Sequence, residues 1–123
     1  MRIEDIPTQE EEPINKESLT ALVQEHLEIA STASSGRSAH TIYGGHERSL
    51  RQTLIALRAG STPDEHESPG EATLQVLHGH VALVAGDSRS TGTLGDLMPI
   101  PDARHALEAI EDSAVLLTVA VRH

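Results

Sequence analysis

A chain of 123 residues with a formal charge of −10, nineteen acidic against nine basic, has room for one hydrophobic core and repels nucleic acid and anionic lipid alike. No local cluster of Lys and Arg offsets that balance, so neither nucleic acid nor membrane is an expected partner. Cysteine is absent, which removes disulfides and thiolate metal sites.

Residues 1–15 contain Pro7 and Pro13, with Glu10, Glu11 and Glu12 in a row. Such a composition buries too little to order itself, which predicts a flexible acidic tail. The alternative is that residues 2–6 add an edge strand, including on a partner subunit. This segment lacks an apolar core of signal-peptide length, and no run elsewhere reaches a membrane span, so a cytoplasmic location is expected.

The pattern then turns helical. Leu19, Leu22, Val23, Leu27 and Ala30 share one face, which predicts an amphipathic helix within residues 16–36. Asn15 or Ser18 supplies the N-cap oxygen, and Ala33, Ser34, Ser35 and Gly36 end the helix. His26 lies beside the apolar face as a boundary residue.

From residue 37 to residue 123 the period is that of strands. Candidates are 39–45, 49–60, 71–78, 80–85, 89–94, 97–100, 104–110 and 113–121. Turn signals punctuate them at Gly44-Gly45, Gly60, Gly79, Gly86-Asp87, Gly92, Gly95-Asp96, Pro101-Asp102 and Glu111-Asp112. Many short strands at even spacing with no intervening helix predict an all-β barrel or sandwich behind one N-terminal helix. The interior must be built from Leu, Val, Ile and Ala, because Tyr43 is the only aromatic residue. That shortage, and a strand at 113–121 that is apolar on both faces, predict a homodimer.

Two stretches resemble the cupin family. His66 followed by PGEATLQVLHG, residues 69–79, is similar to its first motif; Gly95-Asp96, Ile100-Pro101 and His105 are similar to its second. The resemblance implies a cupin double-stranded β-helix, a jelly-roll-like barrel, with His66 and His105 facing each other across it. In the family, two histidines one residue apart, a glutamate and a third histidine hold a divalent metal. Two or three imidazoles with a carboxylate suit Fe, Mn, Ni, Cu or Zn and leave a position open for substrate.

Here the pattern is degenerate. Ser68 stands in place of the second histidine, Thr73 in place of the glutamate, Ala103 in place of a common glycine and Ala109 in place of a frequent asparagine. Glu71 shares the strand parity of Thr73, so it is the candidate replacement ligand beside His66 and His105. Arg51 and Gln52 sit in an otherwise apolar strand and one of them must face inward; Gln52 is taken, and Gln52, Ser68, Thr73 and Gln75 are expected to line the interior and to bind ligand.

Two readings follow. One is a barrel that binds a small molecule around His66 and His105, with weak or no metal. The other is a metal-dependent enzyme of dioxygenase, isomerase or decarboxylase type that uses those histidines with Glu71. Among eight histidines, His78 and His80 are read as the outward tip of a hairpin, while His40 and His46 are left either at the barrel mouth or in a loop. A third role, partner binding through the tail and helix, has only their presence behind it.

Overall fold

Ser18 starts the helix. In this computed structural model, which describes residues 14–61, 65–67 and 70–121, the Ser18 hydroxyl accepts a hydrogen bond from the Ala21 backbone N–H at 3.2 Å. Helix α1 therefore spans Leu19–Thr32, shorter than residues 16–36, because the cap excludes Lys16 and Glu17. A capping hydroxyl contributes about 1 kcal/mol. Ser18→Ala should lower unfolding stability in urea by about that amount, and Ser18→Asn should leave it nearly unchanged. Equal losses for both substitutions would show that the cap does not matter.

Val23 and Ala30 are buried on the expected face, and Leu19, Leu22 and Leu27 pack beside Val23. His26 is a correction. It is buried, at 8% exposure, rather than marginal. Its Nδ1 meets the Ser38 hydroxyl, a partner twelve residues away that a local pattern does not reveal.

All eight expected strands are present: β1 Arg37–Tyr43, β2 Leu50–Leu57, β3 Gly70–His78, β4 His80–Ala85, β5 Ser88–Thr93, β6 Leu97–Pro99, β7 Ala106–Ala109 and β8 Ser113–Val121. Gly92, expected at a turn, instead pairs with Val81 inside β5, where an added Cβ would meet the Met98 sulfur at 2.7 Å. They form two antiparallel sheets, ordered β1-β2-β8-β3-β6 and β5-β4-β7. Leu57, Leu74, Val76 and Val115 of the first sheet pack with Val81, Leu83 and Leu107 of the second, forming the interior. Their neighbours of opposite parity face the other way. Leu54, Ala114 and Leu77 pack with Ile42 and Val23, under the helix. The five-stranded sheet thus has apolar residues on both faces because one is the barrel interior and the other is partly roofed by α1.

The Gly95-Asp96 pair of the second motif is structural. Asp96 Oδ2 accepts from the Thr93 backbone N–H at 2.8 Å and from its hydroxyl at 3.4 Å. The Gly95 N–H donates to the Val76 carbonyl, and the Val76 N–H donates to the Asp96 carbonyl, each at 2.9 Å. This turn fastens the β5–β6 connection to β3. Among the described residues, no helix is long and apolar enough to cross a membrane.

Candidate functional site

His66 and His105 meet across an isolated antiparallel bridge. The His66 N–H donates to the His105 carbonyl at 2.9 Å, and the His105 N–H donates to the His66 carbonyl at 3.0 Å. Directly opposed residues in such a bridge project to the same side. The two rings lie edge to face, with centroids 4.5 Å apart.

Parity decides which side that is. His105 is two residues before Leu107 and four before Ala109, both in the core between the sheets. It accordingly projects inward and is only 3% exposed, whereas His66 is exposed at the rim. The His105 ring nitrogen Nδ1 lies 2.9 Å from the Ala103 carbonyl oxygen. A carbonyl can only accept, so Nδ1 carries the proton, and in the neutral ring Nε2 keeps the lone pair. Ala103, where the family has a glycine, thus orients the imidazole through its backbone. Beside the pair, Glu65 and Arg104 form an exposed ion pair at 3.8 Å, a contact of little energetic weight in water.

The remaining candidates do not join them. Thr73 is paired with Thr118, which in turn is paired with Gln52, and the Gln52 side-chain amide donates to the Thr118 hydroxyl at 3.3 Å. These positions share the parity of Leu54, which packs under the helix, and oppose that of Leu74 and Val76 in the interior. Gln52, Thr73, Gln75 and Glu71 therefore lie on the outer face of the five-stranded sheet, not in the hollow. The misleading signal was Leu77. It has their parity and looks like a core residue, but it is buried from outside, against the α1 cluster. Ser68 lies outside the described residues.

Glu71 is exposed and opposite Ala120, on the reverse side of the sheet from the histidine pair. Among the described residues no three His, Asp or Glu side chains are gathered as a metal would need. Among the described residues, the two imidazoles alone fall short of the three protein ligands of a catalytic metal site.

Of Arg51 and Gln52, it is Arg51 that has the inward register, not Gln52. Arg51 and Thr53 share the interior parity of Ile55 and Leu57. The Arg51 side chain donates from Nη2 to the His46 carbonyl and from Nε to the Arg48 carbonyl, each at 3.1 Å. Strand register puts it at the same barrel end as the histidines. Arg51 is opposite Val119 near the end of β8, and His105 adjoins Ala106, which pairs with Val84 near the end of β4. The Gly79 hairpin closes the other end. Alternation back from the Ile55 and Leu57 positions would have found it.

The other histidines are accounted for locally. His40 Nε2 sits 3.1 Å from Glu17 Oε1, and its ring centroid is 5.4 Å from that of His26. It belongs to the helix seam, not to a mouth of the barrel. His46 is exposed in the β1–β2 loop, and His78 and His80 flank the β3–β4 hairpin.

No protein-family model matches the sequence. No curated protein matches it either. Solved structures do. A cupin superfamily protein from Desulfitobacterium hafniense superposes with a TM-score of 0.66 at 15% identity, covering 76% of this chain and 88% of that one. An RmlC-like cupin from Desulfovibrio desulfuricans gives 0.59 at 24% identity, covering 68% and 81%. Salicylate 1,2-dioxygenase from Pseudoaminobacter salicylatoxidans gives 0.67 at 18% identity, covering 81% of this chain but only 32% of the enzyme. At these identities the likeness is one of fold. With its two antiparallel sheets, its one helix and its bridged histidine pair at one end, the chain has the cupin fold.

Proposed function

We propose that this barrel binds a small molecule at the end where His66 and His105 meet, with weak or no metal. The observation that carries this reading is the asymmetry of the pair. A buried imidazole, oriented by the Ala103 carbonyl, keeps Nε2 as an acceptor, and an exposed imidazole touches its edge. Two adjoining rings of this kind offer a donor or acceptor and an aromatic edge to a polar ligand. They contain no nucleophile paired with a base.

The metal-dependent reading draws on the similarity to salicylate 1,2-dioxygenase. It requires a third donor, and the outward position of Glu71 argues against the one proposed from strand parity. The test is elemental analysis of full-length protein purified without a metal-affinity tag, together with histidine-ring NMR during titration with a small-molecule library. We expect well under one equivalent of Fe, Mn, Ni, Cu or Zn. We also expect hits that move the His66 and His105 ring signals together and lose binding in His105→Ala. Close to one equivalent of metal, lost in His66→Ala, would overturn the reading in favour of the enzyme.

A further inference from the structure

Charge is placed unevenly on the barrel strands. The charged side chains on β2 to β8 are Arg51, Glu71, Arg89 and Glu108. Glu71 lies on the outer face of the five-stranded sheet. Arg89 and Glu108 pair with Val84 and Ala82, at opposite parity to the interior residues Leu83 and Leu107, so both lie on the outer face of the other sheet. Arg51 alone has interior register, and it is partly buried.

That inward charge has no counterpart. Arg89 is met by Glu108 at 2.6 Å, and Arg104, at the rim, is met by Glu65. Among the described residues no carboxylate pairs with Arg51, in a chain of nineteen acidic residues. Its Nε and Nη2 donate instead to the backbone carbonyls of Arg48 and His46. A guanidinium presents five N–H groups in a planar fork. The two carbonyl bonds fix that plane and leave donors on both terminal nitrogens. A cation taken partly out of water is stabilised by a bound anion, and a fork held in advance gives up little freedom to bind one.

We propose that the small molecule bound at the histidine end is an organic carboxylate, and that Arg51 holds its charge. This rests on the small-molecule reading of that end. Two in-plane N–H groups match the two oxygens of a carboxylate. The rest of the Arg51 row is apolar. Arg51 is opposite Val119, Val119 is opposite Ala72, and Ile100, whose N–H donates to the Ala72 carbonyl, packs on the interior cluster. Such a row gives an acid an apolar bed beside its charge, with the imidazoles of His66 and His105 at the same end for a further polar group. A neutral ligand would leave Arg51 uncompensated. A phosphate calls for more donors than a row with one cation supplies.

The test is NMR of the full chain, with ligand signals reading affinity and the histidine-ring signals reading place. The probes are matched pairs, acetate with acetamide and benzoate with benzamide, and inorganic phosphate as a further anion. At least one acid should bind about tenfold or more tightly than its amide, the worth of a charged hydrogen bond, and should move the His66 and His105 rings. Arg51→Gln should erase that preference and leave the amide's affinity unchanged. Arg51→Lys should keep only part of it, since an ammonium lacks the fork, and it stays informative should Arg51→Gln fail to fold. Arg89→Gln, on an outer face, should change nothing. A preference that survives Arg51→Gln, or phosphate binding where both acids fail, overturns the proposal. So does equal binding of acid and amide that moves the rings, or silence from every probe while other small molecules bind, yet these two results keep the small-molecule reading. Binding that leaves both rings unmoved and persists in His105→Ala overturns the two together.

Discussion

Replacing Gly79 by alanine should cost this protein far more stability than replacing a glycine at an open turn. Gly79 joins β3 to β4 with φ at +86°, a region that is strained for a residue bearing a Cβ. The added carbon would also lie 2.3 Å from the Asp112 carbonyl oxygen, 2.4 Å from Ser113 Oγ and 2.9 Å from Ser113 Cα. Those atoms cannot move freely. Ser113 is fully buried, and its hydroxyl accepts from the His80 N–H at 3.0 Å while lying 2.7 Å from the Glu111 carbonyl as donor. The Asp112 carboxylate in turn accepts from the Ala59 N–H at 2.8 Å. Left-handed strain of about 1–2 kcal/mol and overpacking of about 1–3 kcal/mol act at the same position.

Gly86 is the control. Its φ is +58°, but nothing lies within 4 Å of an added Cβ. Gly86→Ala should therefore show the conformational cost alone, about 1 kcal/mol. Urea unfolding of the two variants checks the comparison. Gly79→Ala should lose about 3 kcal/mol or more, a large share of the roughly 5–15 kcal/mol that holds a domain together. If the two lose the same amount, the hairpin is not pressed against the β7–β8 turn as described.

The order of the elements was legible in the sequence because turns are local. Each glycine or aspartate at a strand end marks a boundary within its own few residues, and the strand bounds differ from expectation by at most a few positions, mainly at their ends. The histidine pair was legible for another reason. The motif resemblance carried long-range information that periodicity does not, and it brought positions 66 and 105 to one bridge. Which face of β3 turns inward was not legible. Alternation says that Glu71, Thr73, Gln75 and Leu77 share a side, but a helix roofing part of the outer face makes both sides locally apolar. The same ambiguity exchanged Arg51 for Gln52 on β2. His26 was missed because its burial depends on Ser38, which only the folded chain brings near.

Leu74→Asp should abolish folding, whereas Gln75→Asp, one residue along the same strand, should leave a cooperatively folding protein. Leu74 is 2% exposed and packs in the interior beside Val76 and Met98. An ionised carboxylate there has no partner, and its transfer from water costs several kcal/mol at least, on top of roughly 2–5 kcal/mol of lost leucine packing. Gln75 is exposed on the opposite face, so a carboxylate at that position stays hydrated. Circular dichroism and urea unfolding separate the two outcomes. The comparison bears directly on function. Glu71 shares the side of Gln75 and His105 shares the side of Leu74 and Leu107, so a sheet that tolerates Asp at 75 but not at 74 keeps Glu71 away from the imidazoles. The reverse result, with position 75 intolerant and position 74 permissive, would turn Glu71 and Thr73 towards His105 and restore the carboxylate that a bound metal needs.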